Sequence, residues 1–338
     1  MTASSGPVRL RVAGTWLAAD QVRCFLLTDP AGGDLPAWAP GAHVDLFMPG
    51  MIRQYSLCGD PADRRTWRVA VLLEEDSRGG SRYLHEQVSA GAELTASLPR
   101  NNFPLAAAGR YAFIAGGIGI TPLLPMIAAA SAAGADWRLY YGARSGDRMA
   151  FTGELDGYGE RCARYPEDSR GLIPLDEILG PSADGAAVYC CGPEALLTAV
   201  EERHKRRRAG TLHVERFRPV ALAPGSVDRE FDVVLDSSGQ VVRVRAGQSI
   251  LTALDRAGVD VPSSCREGTC ATCETTVLEG EVEHRDSVLT EAERASAKTI
   301  MLCVSRARSP RLVLDLLPGE TTTRSVAAVW IFVWIFVA

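Results

Sequence analysis

Short apolar, β-branched runs broken by Gly, Pro and Asp characterise residues 1–106. Three such runs are Cys24–Thr28, His43–Phe47 and Trp67–Leu73. Each has the length and composition of a β-strand. Many short strands separated by turn residues are typical of a small antiparallel barrel. The pattern therefore predicts an antiparallel β-barrel, with one short helix at Arg82–Val88.

The rhythm changes in residues 107–218, where runs of strand length alternate with runs of helix length. The predicted strands are Tyr111–Ala115, Trp137–Tyr141 and Ala186–Cys190. Helices are predicted at Pro122–Ala133 and from Pro193 onward. Alternating strands and helices indicate an α/β domain, with a mostly parallel sheet and helices on its faces.

Residues 219–229 contain the run Pro-Val-Ala-Leu-Ala-Pro-Gly-Ser-Val-Asp, which reads as an interdomain linker. A third domain is predicted at residues 230–318. It begins with a hairpin, Phe231–Leu235 and Val241–Ala246, followed by a helix at Ser249–Ala257. A second short helix is expected at Leu289–Ala297 and a strand at Ile300–Val304.

Two apolar stretches resemble membrane spans but are explained better in other ways. The first, Ala112–Ala135, has three glycines and two prolines in its middle, as expected of a strand, a turn and a buried helix. The second lies in the C-terminal tail, 319–338, where Val326–Ala338 is shorter than the roughly 20 residues a spanning helix needs. Its repeat of Trp-Ile-Phe-Val favours a tandem duplication or cloning remnant over a membrane-surface or partner anchor.

Composition narrows the class of protein. The chain has 338 residues, which favours two or three domains, and an ordinary globular balance of 23% charged and 46% hydrophobic residues. Its net charge of −5 gives no reason to expect nucleic-acid binding. Four of the nine cysteines form the motif described next, and the other five lie at scattered positions. Because no secretory signal is evident and this remainder is odd, a reducing, cytoplasmic location is expected.

The most specific chemical signal is a set of four cysteines. Cys265, Cys270 and Cys273 have the spacing C-x4-C-x2-C, and Cys303 lies far downstream. This is the plant-type spacing for a 2Fe-2S cluster. A structural zinc site would need a second close pair of cysteines, and a disulfide would need an oxidising compartment, so both readings are weaker.

Two segments in the first domain are suited to hold a flavin and its phosphate. Arg53-Gln54-Tyr55-Ser56 offers a cation for a phosphate, an aromatic edge for the ring and a hydroxyl donor. Gly79-Gly80-Ser81 precedes a predicted helix, with Ser81 as its N-cap, which is a natural phosphate site. Either segment alone also fits an ordinary strand or surface turn.

Two segments in the second domain are suited to bind a nucleotide. Gly116-Gly117-Ile118-Gly119-Ile120-Thr121-Pro122 follows a strand and opens a helix, although it lacks the G-x-G-x-x-G spacing. Cys191-Gly192-Pro193 lies at the carboxyl end of another strand, where ligands bind in parallel sheets. Taken singly, each also fits a plain turn, and Cys191 fits a small buried side chain.

Together these motifs, in this order, resemble the ferredoxin–NADP reductase superfamily. They are most similar to the phthalate dioxygenase and vanillate demethylase reductases, over residues 8 to 317. The resemblance implies FMN, NADH and a plant-type 2Fe-2S ferredoxin domain of β-grasp fold. Arg53, Tyr55, Ser56, Gly79, Gly80 and Ser81 would hold the FMN, and Phe217 would cover the flavin.

The same resemblance assigns the catalytic positions. Ser56 and Thr121 would lie near the flavin, and Cys191 would flank the nicotinamide. Arg144 follows the strand where the adenosine ribose should lie; an arginine can bind a 2′-phosphate, but Asp147 nearby would oppose one. The resemblance implies NADH rather than NADPH.

The implied function is the reductase of a two-component Rieske non-haem iron oxygenase that acts on an aromatic acid or a small amine. The alternatives are a reductase for a haem monooxygenase and a stand-alone electron carrier or redox module. The expected partner is a Rieske-type oxygenase, with no nucleic acid and no membrane.

Overall fold

The computed structural model describes residues 6–75, 78–180, 185–206, 210–219 and 228–316. It divides into two compact units. The first unit comprises Met1–Ala221 together with two later segments, Ser264–Ala271 and Asp286–Val288. The second comprises Leu222–Ser263, Thr272–Arg285 and Leu289–Ala338. The segment Ser264–Ala271, which carries Cys265 and Cys270, is called the cluster loop below.

The N-terminal sheet of the first unit has six strands, and all their pairings are antiparallel. The strands are β1 (Val8–Ala19), β2 (Val22–Thr28), β3 (His43–Met48), β4 (Met51–Ser56), β5 (Thr66–Leu72) and β6 (Glu93–Ala96). Their order is β4-β3-β6-β1-β2-β5, and helix α1 (Gly80–Gln87) follows β5 in the chain. Alternate residues of these strands fill a core around the fully buried Trp67 and Phe25.

The second sheet of the first unit is parallel and has the order β11-β10-β7-β8-β9. Its strands are β7 (Arg110–Gly116), β8 (Asp136–Ala143), β9 (Cys162–Pro166), β10 (Ala187–Cys191) and β11 (Leu212–Glu215). Its helices are α2 (Leu123–Ala132), α3 (Thr152–Asp156), α4 (Glu167–Arg170), α5 (Leu175–Ile178) and α6 (Glu194–His204). Phe113 and Ile114 of β7 point into separate apolar clusters, so both faces of the sheet are covered.

The second unit holds a five-stranded mixed sheet and a two-stranded ribbon. The larger sheet contains β12 (Phe231–Leu235), β13 (Val241–Val244), β14 (Glu274–Glu279), β16 (Thr299–Met301) and β18 (Arg311–Leu314), in the order β13-β12-β18-β14-β16. The ribbon pairs β15 (Val282–Glu283) with β17 (Arg306–Ala307). Helix α7 (Ile250–Arg256) is capped by Ser249, and α8 (Glu291–Ser296) has a Thr290–Glu293 capping box.

The predicted succession of an antiparallel sheet, a parallel sheet and a third α+β region is confirmed. One predicted strand was wrong in extent, because β16 ends at Met301 and Cys303 lies in the turn that follows. Most of the predicted linker and all of the predicted C-terminal tail lie outside the described residues. Within the described part of the chain, no helix is long and apolar enough to cross a membrane.

Candidate functional site

The two segments predicted to bind a phosphate lie against each other. Helix α1 begins at Gly80, and its N-cap is Gly79, whose φ of 97° is left-handed. A Cβ atom on Gly80 would lie 2.6 Å from Cγ of Arg53, so glycine leaves room for the arginine at the start of the helix. A guanidinium beside a helix N-terminus favours an anion. This cradle therefore fits the phosphate of FMN.

Ser81 was wrongly predicted to be the N-cap of this helix. It lies in the first turn of α1, and its hydroxyl accepts a hydrogen bond from the backbone N–H of Glu74 at 3.3 Å. The double glycine explains the shift, because Gly79 can adopt the left-handed conformation at the cap without strain.

A cavity in the first unit, called the central cavity, brings several predicted flavin residues together. Tyr55 and Ser56 of β4 line it with Phe217, which follows β11. The other lining residues are His43, Gln54, Asn102, Val214, Glu215, Arg216, Thr269, Ser287 and Val288. Two aromatic rings and a buried hydroxyl around one cavity fit the ring system of a flavin.

His43 adds a buried nitrogen to this cavity. The residue is 5% exposed, and its Nε2 has no hydrogen-bond partner within the described residues. Burial, reinforced by the Arg100 guanidinium, lowers the pKa of His43 to about 4, so the imidazole is neutral at neutral pH. A buried polar atom without a partner is costly. A bound ring with polar edges is the kind of group that would satisfy it.

Glu215 is a cavity residue that the sequence analysis missed. Its Oε2 is buried and has no hydrogen-bond partner in the described structure, and burial raises the pKa of its carboxyl to about 8. In the β10–β11 register Glu215 lies opposite Cys191. The available signal was its position at the end of β11, two residues before Phe217 in the chain.

Cys191 and Thr121 lie deep in the parallel-sheet region and are not among the residues that line the cavity. Cys191 is fully buried, and burial, with Glu215 and Cys190 nearby, raises the pKa of its thiol well above the usual range. It is therefore a neutral thiol. The Thr121 hydroxyl donates to the carbonyl of Ile118 at 2.9 Å.

The two predicted nucleotide segments pack together at the carboxyl edge of the parallel sheet. A Cβ on Gly119 would lie 2.2 Å from the carbonyl oxygen of Cys191, and one on Gly116 would lie 2.6 Å from Cδ of Pro193. A Cβ on Gly192 would in turn meet the backbone of Gly116 at 2.9 Å. Gly117 instead has open space around it and a φ of 54°. Most of these glycines thus permit close backbone approach between two loops at the ligand-binding edge.

Arg144 lies apart from these loops in the chain, directly after β8, and is exposed. Its carbonyl accepts a hydrogen bond from the N–H of Asp168 at 3.3 Å. The neighbouring Ser145 hydroxyl donates to the carboxylate of Asp147. A carboxylate held beside the expected ribose position is consistent with a nucleotide that lacks a 2′-phosphate.

The cluster loop folds around the sulfur of Cys265. The N–H groups of Glu267 and Thr269 point at its Sγ, at 3.3 and 3.4 Å. Arg266 and Gly268 adopt left-handed φ values of 57° and 74°, which turn these amides inward. Amide donors around a sulfur stabilise a thiolate, as an anionic cluster requires. The loop therefore fits a 2Fe-2S cluster.

The remaining three cysteines of the motif are buried. Cys270, Cys273 and Cys303 are 2%, 3% and 7% exposed. Within the described residues, no three His, Cys, Asp or Glu side chains are grouped as ligands of a metal ion. The four cysteines of the motif are the residues that would hold a 2Fe-2S cluster.

Comparison with known proteins supports both nucleotide and cluster chemistry. A family model for the 2Fe-2S iron-sulfur cluster binding domain matches residues 233–308. A model for the oxidoreductase NAD-binding domain matches residues 113–202. The predicted 2Fe-2S and NAD-binding domains are thereby confirmed.

Relatives of full length extend this similarity to the whole chain. The chain is 40% identical over 317 residues to the phenoxybenzoate dioxygenase subunit beta of Ectopseudomonas oleovorans, covering 93% of this chain and 99% of that one. The crystal structure of phthalate dioxygenase reductase, described as modular for electron transfer from pyridine nucleotides to [2Fe-2S], matches at 38% identity with a TM-score of 0.67. That match covers 92% of this chain and 98% of the reductase.

A third match is part of a larger enzyme. An intact type IV self-sufficient cytochrome P450 monooxygenase matches at 43% identity and a TM-score of 0.85, over 94% of this chain. The chain spans 42% of the length of that P450.

Proposed function

The chain belongs to the family of phthalate dioxygenase reductase, whose members combine FMN, NADH and a 2Fe-2S cluster, and from this premise we propose that it delivers electrons to a separate oxygenase. It is an NADH-dependent oxidoreductase. The observation that carries the proposal is that three candidate sites occur in one compact unit. The phosphate cradle, the central cavity and the cluster loop all belong to it.

Bound FMN would supply the chemistry that converts the two-electron hydride of NADH into single electrons for the 2Fe-2S cluster. The chain's own residues bind and orient these groups. Arg53, Gly79, Gly80 and Ser81 hold the FMN phosphate at the start of α1. Tyr55, Ser56 and Phe217 contact the ring in the central cavity. The surrounding strands are proposed to close into a barrel.

The nucleotide is held at the carboxyl edge of the parallel sheet. The loop with Gly116, Gly117 and Gly119 approaches its phosphates, Thr121 and Cys191 flank the nicotinamide, and Gly192 and Pro193 shape the same edge. Arg144 lies on the adenosine side. Because the Cys191 thiol is fully protonated at neutral pH, it acts as a neutral packing group beside the nicotinamide.

The cluster is held by Cys265, Cys270, Cys273 and Cys303, in a region proposed to have the β-grasp fold. The proposed acceptor is a Rieske-type oxygenase acting on an aromatic acid or a small amine. The Ectopseudomonas relative, which this chain matches over 99% of its length, is named as a subunit of a dioxygenase. That name supports an oxygenase as the acceptor.

The second candidate is a reductase for a haem monooxygenase. The match to the self-sufficient P450 favours this candidate, because there a region similar to this chain is part of the same polypeptide as a P450 monooxygenase. Measuring NADH-driven product formation with a purified Rieske oxygenase and with a purified P450 separates the two acceptors.

A cysteine substitution tests the proposed electron order. Cys273→Ser removes one cluster ligand, so we expect NADH to bleach the FMN as in the wild type, while reduction of cytochrome c falls at least about tenfold. The control is Cys162→Ser, because Cys162 is a half-buried thiol on β9, outside the cluster motif. Stopped-flow absorbance measures both reactions. Loss of FMN bleaching in Cys273→Ser, or unchanged cytochrome c reduction, refutes the order.

A further inference from the structure

Two buried polar residues lie on the outer face of the N-terminal sheet. Along β3, Val44 and Leu46 point into the core, so His43 and Asp45 point away from it. An outward polar residue is normally solvated, yet Asp45 is only 1% exposed. Another part of the first unit must therefore cover this face.

The cluster loop provides that cover. Ser264, the residue before Cys265, donates its hydroxyl hydrogen to Oδ2 of Asp45 at 2.5 Å. Oδ1 of Asp45 accepts from Arg100 at 2.7 Å and from the Gln54 amide at 3.3 Å. Both oxygens of the buried carboxylate therefore accept hydrogen bonds, and Oδ2 accepts its bond from the cluster loop. A buried charge is tolerated only with such partners.

Two further bonds hold the same loop. The Thr269 hydroxyl donates to Oε1 of Gln54 at 3.1 Å, and the Asn102 amide donates to the carbonyl of Cys270 at 3.1 Å. Gln54 lies opposite Asp45 in the β3–β4 register, so these two side chains share one face. Asp45, Gln54 and Asn102 are called the loop socket.

The socket couples the cluster loop to the central cavity. Gln54 precedes Tyr55 and Ser56 on β4, and all three residues line the cavity. Hydrogen bonds are directional, so three of them fix the loop at one position, whereas an apolar contact would tolerate sliding. Asp45 contributes the only charged partner among the three and anchors the first residue of the loop.

We propose that Asp45 is a positioning residue for electron transfer, holding the cluster loop against the flavin-binding strand β4 through Ser264. The inference rests on the proposed function. Asp45 is not among the residues that line the central cavity. Its effect should therefore fall on the flavin-to-cluster step and leave the NADH-to-flavin step unchanged.

The test follows both steps in holoprotein by anaerobic stopped-flow absorbance after mixing with NADH. In Asp45→Asn we expect FMN bleaching within about twofold of the wild-type rate, and cluster reduction slowed about tenfold. Ser264→Ala keeps the buried Asp45–Arg100 pair and removes the loop bond alone, so it should slow only the second phase. The double variant should be no slower than Asp45→Asn, because both changes break one bond.

The matched control is Ser97→Ala. The Ser97 hydroxyl accepts from the backbone N–H of Asp45 at 3.0 Å and donates to the carbonyl of Leu98, so the substitution disturbs the same strand from another side. It should leave both phases at wild-type rates. The midpoint potential of the cluster, measured by equilibrium titration, should be the same in all four variants, since the effect is one of position.

An unslowed second phase in Asp45→Asn overturns the proposal, and so does an equal slowing of both phases. If the wild type shows no cluster reduction at all, the proposed function fails instead. Hydrogen exchange at residues 264–271 then decides the role of Asp45. Faster exchange in Asp45→Asn than in Ser97→Ala supports loop positioning, and equal exchange refutes it.

Discussion

At the scale of single residues, the candidate site contains polar side chains whose pKa values are shifted by burial. His43, which is neutral at neutral pH, and Glu215, whose carboxyl has a raised pKa, both line the central cavity. Tyr55 and Ser56 were predicted as flavin residues because their types suit flavin chemistry, and Phe217 was predicted from the family resemblance. It could not identify His43 or Glu215, since their unusual protonation arises from burial by residues distant in the chain.

Glu215 predicts a specific dependence of stability on pH. Its pKa is about 8 when folded and near 4.5 when unfolded, so the folded chain binds this proton more tightly. The resulting stabilisation is present below the unfolded pKa and is lost as pH rises toward about 8. Relative to Glu215→Gln, the wild type should lose free energy of unfolding on the order of 1 kcal/mol per pH unit over this window.

Urea unfolding curves of apoprotein at several pH values measure this difference. The control is Glu202→Gln, an exposed carboxyl on α6, which should keep the wild-type pH dependence. Parallel pH dependence for the wild type and Glu215→Gln would contradict the raised pKa.

At the scale of elements, each proposed binding surface lies where two segments pack closely. Helix α1 meets β4 through Gly80 and Arg53, and the loops after β7 and β10 meet through Gly119 and Cys191. Each glycine-rich segment could be predicted as a candidate, because glycines before a helix favour an anion. It could not show the pairings, and it misplaced local details such as the Ser81 cap and the turn that carries Cys303.

Gly80→Ala tests the close packing of helix α1 against Arg53 of β4. The new Cβ would lie 2.6 Å from Cγ of Arg53 and displace the guanidinium, so we expect the FMN dissociation constant to rise at least about tenfold. Helix propensity changes in the opposite direction, since alanine favours a helix by about 1 kcal/mol over glycine. Weaker FMN binding would therefore not reflect a loss of folding.

Fluorescence titration of apoprotein with FMN measures this affinity. Gly153→Ala is the control, because Gly153 lies in α3 with no atom within 4 Å of a built Cβ. Unchanged FMN affinity in Gly80→Ala would contradict the phosphate cradle.

At the scale of the whole molecule, the cluster loop shows the limit of local sequence patterns. Its cysteine spacing predicted the cluster, and the family model for the 2Fe-2S cluster binding domain matches residues 233–308, which include the loop. In the structure the loop also forms hydrogen bonds with Asp45, Gln54 and Asn102 and is part of the compact unit that contains β3 and β4. Hydrogen bonds between residues about two hundred positions apart leave no periodic trace in a single sequence.

The central claim is that NADH, flavin and cluster form one electron path in this chain. Anaerobic reduction of the purified holoprotein with NADH, followed by low-temperature EPR, tests it most directly. We predict the signal of a reduced 2Fe-2S cluster in protein whose flavin has been bleached by NADH. A bleached flavin without a cluster signal, in protein with full iron and sulfide, would contradict the account.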